Sequence, residues 1–175
     1  MSSKPIQDSE ILSSDVPGVA PPERRHLPGG RAGIALGILA LGLEAPLAVA
    51  GLYGGSTLFR DPSGVSMDMS LALLAKSPFP DFQLPGAVLF LANGVFPLAV
   101  CAAIIIRSPR CPELVVTSGA VLVGWMAVQI AMIGYELWIQ ALFLGIGLAL
   151  MALGGLWTVV RRMGAEAEAE ETGPV

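Results

Sequence analysis

The chain has 175 residues, enough for one domain of modest size. It is 54% hydrophobic but only 14% charged, with a mean hydropathy of +0.70. A water-soluble domain covers its surface with about 25% charged residues, so this composition excludes an ordinary soluble fold and indicates lipid as the solvent. The net charge of −4 resides in the tails and loops, and an aromatic content of 6% offers no stacking platform, so no nucleic-acid partner is expected.

The N-terminal tail, residues 1–31, is rich in Ser, Pro and Gly without an apolar period and reads as a disordered cytoplasmic segment. Its His26 is the single histidine, and no Cys pair stands at ligand spacing, so neither a zinc site nor any other metal or cofactor is expected. The four-helix membrane domain then occupies 32–160. A bilayer core about 30 Å thick requires roughly 20 apolar residues in a helix. Four segments meet that length, at about 32–58, 84–106, 114–134 and 137–160. Each is apolar on all sides, and strand-like alternation is absent, which argues against a membrane barrel. The expected class is an all-α, polytopic bundle of four transmembrane helices. The first apolar stretch exceeds a signal-peptide core and follows about thirty polar residues, so it is expected to remain as a span.

Eight of the ten Lys and Arg residues, Lys4, Arg24, Arg25, Arg31, Arg107, Arg110, Arg161 and Arg162, fall on one side of this topology. Arg60 and Lys76 fall on the other. The positive-inside bias places both termini in the cytoplasm of a bacterial plasma membrane. Tyr135 and Trp138 are then expected at the outer interface and Trp157 at the inner one.

Within the first span, Gly33, Gly37, Ala40, Glu44, Ala48, Gly51 and Gly55 recur at close to the helical period. Such a seam of small residues faces neighbouring helices, because lipid rewards smallness with nothing. Glu44 lies on it, about 15 Å from either end. An acidic residue at that depth costs about 2.5–3.5 kcal/mol to insert, so its presence needs a reason. Pro46 crowds the carbonyl of Gly42 and predicts a kink.

The first outer loop, about 59–83, is too long for a simple turn. Asp61-Pro-Ser-Gly64 fits a type I turn, and 66–75 is apolar enough for a short helix on the membrane surface. Ser77-Pro-Phe-Pro-Asp81 ends it, and Pro85 suits the first turn of the second helix. The second loop, Arg107-Ser-Pro-Arg-Cys-Pro-Glu113, is a tight turn stopped by two prolines. Gly134-Tyr-Glu-Leu137 is tighter and forces the last two helices antiparallel. Cys101 and Cys111 are too few for a disulfide framework and read as a small apolar residue and a loop thiol. Glu113 and Glu136 read as solvated. Residues 161–175 form an acidic tail expected to be disordered, with an Ala/Glu run able to extend the last helix transiently.

Asn93, Gln129 and Gln140 are expected about 13, 7 and 5 Å below the outer interface, where with Glu44 they could form a polar column. The third span carries its own small seam at Ala120, Gly124, Ala127 and Ala131, with Gln129 beside it. Trp125 lies near mid-depth, as core packing or as a ligand wall, and its indole N–H needs an acceptor, for which Glu44 is one candidate. Glu44 itself has two readings: a neutral carboxyl whose hydrogen bond locks the bundle, or a titrating site for a proton or cationic substrate. Pairing with a basic residue of another membrane protein is a third.

The run Leu-Phe-Arg-Asp-Pro-Ser-Gly (58–64), with Pro-Phe-Pro-Asp-Phe (78–82), Leu-Pro-Gly (84–86) and Gly-Trp-Met-Ala-Val-Gln (124–129), resembles a group of small four-helix membrane proteins found chiefly in actinobacteria-like genomes. The resemblance spans about 32–160 and implies the same topology and a constrained first loop, but carries no activity. Small multidrug-resistance exporters share only an architecture, four helices with a glutamate in the first; the long loop and tails depart from them. No nucleophile–base pair, phosphate loop or carboxylate dyad is present, so no enzyme is expected. The leading expectation is a non-enzymatic assembly or partner-binding module, acting through the outer loop on a membrane protein or a second copy of the chain. A small proton- or cation-coupled transporter using Glu44 is the rival.

Overall fold

Thirty-one consecutive residues, Gly30–Arg60, form the first helix, α1. Pro46 withholds the N–H that would bond the Gly42 carbonyl, yet the helix continues through it to Arg60. The computed structural model describes residues 30–135 and 138–171. The tail containing His26, and the Glu136–Leu137 part of the last turn, lie outside the described residues.

The second span is composite. Helix α2 (Gln83–Phe90) passes into a single wide turn of π-helix, Leu91–Val95, and then into α3 (Phe96–Ile105). Pro97, in the first turn of α3, has no N–H to give the carbonyl of Asn93, and the wide turn gives its ring room beside that carbonyl. Helices α4 (Cys111–Ile133) and α5 (Trp138–Glu171) complete the set. Four helices are thus long and apolar enough to cross a membrane, and the chain is an all-α four-helix bundle. The bundle's outer faces are apolar, with Ile38, Val49 and Ile105 each about two-thirds exposed at 66, 67 and 68%. In water such a surface would aggregate; in lipid it is the solvated face.

The helices meet through glycine. A β-carbon on Gly51 would stand 2.0 Å from the Asn93 carbonyl oxygen, and one on Gly55 2.4 Å from the Phe90 nitrogen, so α1 and the second span touch backbone to backbone. Gly119 lies as tightly against Gly147 and Met151, and Gly154 against Pro112 and Val116, which clamps α4 to α5. α1 also packs on α5, and α3 on α4. All seven members of the α1 seam, Gly33 through Gly55, are buried. The core of the bundle comprises Leu36, Ala40 and Leu47 of α1, Val100 and Ile104 of α3, Val115 and Leu122 of α4, and Leu150 and Trp157 of α5.

Several expectations are corrected here. The α4 seam faces outward, since Ala120, Gly124, Ala127 and Ala131 are all exposed; α4 instead turns Val115, Ser118, Gly119, Leu122 and Met126 inward. Trp157, expected at the inner interface, is fully buried, because its face of α5 turns into the bundle. Cys111 is not a loop thiol: it opens α4, is buried, and its Sγ donates to the Ala103 carbonyl oxygen at 3.3 Å. α5 does not stop near 160 but runs through the Ala/Glu segment to Glu171, residues with good helix propensity. Near the α3–α4 turn, Arg161 is ion-paired with Glu113 and donates to the Pro109 carbonyl oxygen at 2.6 Å, fastening α5 to that turn.

The first loop is folded over its end of the bundle. The Gly64 N–H bonds the Asp61 carbonyl oxygen at 3.1 Å, as a type I turn requires. In place of one short helix there are two 3₁₀ turns, Val65–Met67 and Leu71–Leu74. They are separated because Asp68 adopts a left-handed φ of 54°, which no helix continues through, and Ser70 caps the second by accepting the Ala72 N–H. Leu58, Leu74 and Phe82 form a small apolar cluster beneath this loop.

Candidate functional site

Beneath the loop lies a cavity of about 330 Å³. Its roof is Met67, Met69, Leu74 and Phe82, held in place by the Asp61 turn. The Asp61 carboxylate accepts the Ser63 and Ser66 N–H groups and both their hydroxyls, and these bonds lower its pKa to about 2. A carboxylate bound this way ties residues 61–66 into one rigid turn. The walls come from α1, α2, the π turn, α4 and α5. Of the described lining residues, Ala50 and Tyr53 of α1 and Ile139 of α5 are the exposed ones.

Four of the five polar or aromatic residues singled out in the sequence, Asn93, Trp125, Gln129 and Gln140, line this cavity. Their environments differ. Gln140 is buried, and its Nε2 donates to the Gly134 carbonyl oxygen at 3.1 Å, so it closes the α4–α5 connection. Gln129 and Trp125 are half-buried in the α4 wall. Asn93 is 2% exposed, and neither its Nδ2 nor its Oδ1 has a hydrogen-bond partner. It sits at the centre of the π turn, with both polar side-chain atoms withdrawn from the free space of the cavity.

Glu44 is elsewhere. It is fully buried, is absent from the cavity wall, and reaches across the bundle to α4, where the Ser118 hydroxyl donates to its Oε2 at 2.9 Å. Its Oε1 has no partner, and Trp125 is not the group that meets it. The continuous polar column is therefore interrupted. Asn93 packs at the level of Gly51, seven residues or about 10 Å along α1 from Glu44. Leu47 and Leu122, each one turn from Glu44 and Ser118 and both in the cavity floor, fill the interval.

Ser118 escaped the sequence reading. A single hydroxyl in an apolar helix is common and bonds the preceding turn as readily as a neighbour. The available signal was the inward stripe Val115, Ser118, Leu122 and Met126, at spacings of three and four.

Among the described residues, no charged side chain lines the cavity and no nucleophile stands beside a base. Chemically it can hold an apolar body and offer hydrogen bonds from amide groups. Comparison of the chain with protein-family models, with curated proteins and with solved structures returns no match to any of them.

Proposed function

We propose that this is a non-enzymatic membrane protein, in a bacterial plasma membrane with both termini cytoplasmic, that binds a small apolar molecule taken laterally from the lipid. The observation that carries this reading is the cavity itself. It lies at the lower end of the size range of ligand sites, about 300–1,000 Å³. Its exposed rim, Ala50, Tyr53 and Ile139, belongs to helix faces that meet acyl chains. Four methionines, Met67, Met69, Met126 and Met132, supply adaptable thioether surface around it.

The alternative of partner binding through the first loop is less well supported. The loop's Met67, Met69, Leu74 and Phe82 are spent on the cavity roof, and the small seam of α1 is spent on the second span. The transporter reading retains one specific support, the unpartnered Oε1 of a fully buried Glu44. An intramembrane acid of that kind is a recurrent element of proton relays.

The test is photolabelling in nanodiscs with a ten-carbon aliphatic diazirine, followed by peptide mapping. Adducts should concentrate on Trp125, Met126 and Phe143, in the cavity wall. Gly54→Phe should suppress them, because a β-carbon at Gly54 meets only the Leu89 and Met67 side chains at 3.5 and 3.8 Å and the ring would enter the cavity. Labelling confined to lipid-facing positions such as Ile38 and Leu39 would overturn the reading.

A further inference from the structure

We infer that the cavity holds a single-chain amphiphile in one orientation, with a hydroxyl or primary-amide head bonded to Gln129 at the loop end and its chain directed toward Leu47 and Leu122. This rests on the cavity being a binding site and adds the class of ligand and the way it lies.

Three observations converge on Gln129. It lines the cavity and is half-buried. It faces inward: the helical period sets it about 20° around the α4 axis from Ser118, on the stripe with Leu122 and Met126 and away from the exposed seam of Ala120, Gly124, Ala127 and Ala131. The surface it keeps is therefore turned to the cavity. Its amide is also unengaged. No hydrogen bond joins that side chain to another described residue, and its polar atoms, unlike those of Asn93, are not sealed from access.

The polarity of the cavity then runs in one direction. Gln129 lies one turn from Ile133, at the end of α4 where Met132 packs on the apolar cluster beneath the loop. Leu122, in the floor with Leu47, lies about 10 Å deeper along the helix. Trp125 and Met126 line the wall between them. A head placed at Gln129 with its chain along this wall has the orientation of a lipid in the adjacent leaflet, whose polar end meets the same interface. Such a molecule enters from that leaflet without inverting. Gln carries an acceptor oxygen and an NH₂ donor. A hydroxyl or primary amide both donates and accepts, so it satisfies the Gln129 amide whichever way that group turns; a bare alkane leaves it unmet.

The experiment uses two photoreactive forms of 1-decanol in nanodiscs, with the diazirine beside the hydroxyl or at the far end of the chain. It also measures displacement of the ten-carbon aliphatic label by 1-decanol, decanamide and decane, each scaled to its membrane concentration. The head-side label should fall on Met132 and Ile133 and the far-end label on Leu47 and Leu122. 1-Decanol and decanamide should each compete about fivefold better than decane, the effect of one net hydrogen bond. In Gln129→Met, which keeps an unbranched chain without the amide, that preference should fall to within about twofold and the two labels should no longer separate, while decane competes as before. Should that variant not fold, Gln129→Leu must show the same losses. Equal competition by the three probes in the wild type, or the two labels falling on the same residues, would overturn this inference while leaving the apolar site in place. A preference that survives removal of the amide would also overturn it. Absence of any saturable labelling would remove the binding site and this inference with it.

Discussion

Replacing Gly51 with alanine is the sharpest perturbation available, because it adds one methyl group where two backbones meet. The new β-carbon would lie 2.0 Å from the Asn93 oxygen, 2.2 Å from its carbonyl carbon and 2.6 Å from the Gly94 nitrogen. None of these is the end of a flexible side chain. To bring the closest pair to ordinary contact near 3.4 Å, α1 and the second span must separate by about 1.4 Å. That movement also loosens the Gly55–Phe90 and Gly86–Leu58 contacts on the same seam. Between membrane helices such packing is the main attraction, since lipid supplies no hydrophobic drive. Overpacking costs about 1–3 kcal/mol, and with backbone on both sides Gly51→Ala belongs at about 3 kcal/mol. Unfolding in bicelles by steric trapping measures it. Gly145→Ala is the control: nothing stands within 4 Å of its β-carbon, so it should change stability by less than about 0.5 kcal/mol. If Gly51→Ala were as stable as Gly145→Ala, the backbone contact that positions Asn93 would not exist, and the account of the site would lose its foundation.

Other consequences can be checked separately. Ser118→Ala removes the hydrogen bond that its hydroxyl donates to Glu44 and should destabilise the bundle by about 1–3 kcal/mol in the same assay, whereas Glu44→Gln, which keeps an acceptor for Ser118, should cost less. If Glu44 relays protons, Glu44→Gln should abolish ligand-linked proton release while the protein stays folded; unchanged release would remove the transport reading. For Asp61 the folded pKa, about 2, lies below the ordinary 3.8, so the turn's stabilisation is complete above the unfolded value and is lost only as pH falls through about 2. The Ser66 amide shift should therefore titrate near pH 2, and a midpoint near 4 would contradict the bonding described. Reporter fusions after Glu171 and within residues 61–82 should report cytoplasmic and external locations respectively, a reversal being incompatible with the charge bias.

What the sequence disclosed and what it withheld divide along a physical line. Length and hydropathy fix the spans, because a helix must bridge the hydrocarbon whatever it packs against. Depth along each helix is likewise arithmetic, which is why Asn93, Trp125, Gln129 and Gln140 could be grouped before their common cavity was seen. Facing is different. The seam of α1 is buried, while a seam of the same composition on α4 points outward. Small residues permit close approach without demanding it, and the choice between Gly119 and the neighbouring Ala120 face depends on where α5 lies. Trp157 shows the same limit: the interface preference of an indole speaks of depth, and neighbours decide that its ring turns into the bundle. The π turn was not legible: Pro97 frees the Asn93 carbonyl just as Pro46 frees that of Gly42, yet α1 stays α-helical through its proline.

The separation of Glu44 from Asn93 changes what each can mean. Had they shared one cavity, each would have been the natural partner of the other, and both unpaired sets of atoms would have closed into a structural network. Instead Leu47 and Leu122 lie between them, so Asn93 retains both polar atoms and Glu44 retains Oε1. In hydrocarbon an unsatisfied group of this kind persists only where something else over-determines the backbone. For Asn93 that something is visible in Pro97 and Gly51; for Glu44 it is the seam around it and the Ser118 hydroxyl. A ligand large enough to press on Leu47 and Leu122 would connect the two sites, so a bulky occupant should alter the surroundings of Glu44 while a short one does not. Comparing decanamide with a branched amide by the infrared carboxyl band of Glu44, identified by its loss in Glu44→Gln, decides whether the floor transmits occupancy. An identical band with both would show two independent sites, one for binding and one that only holds α1 to α4.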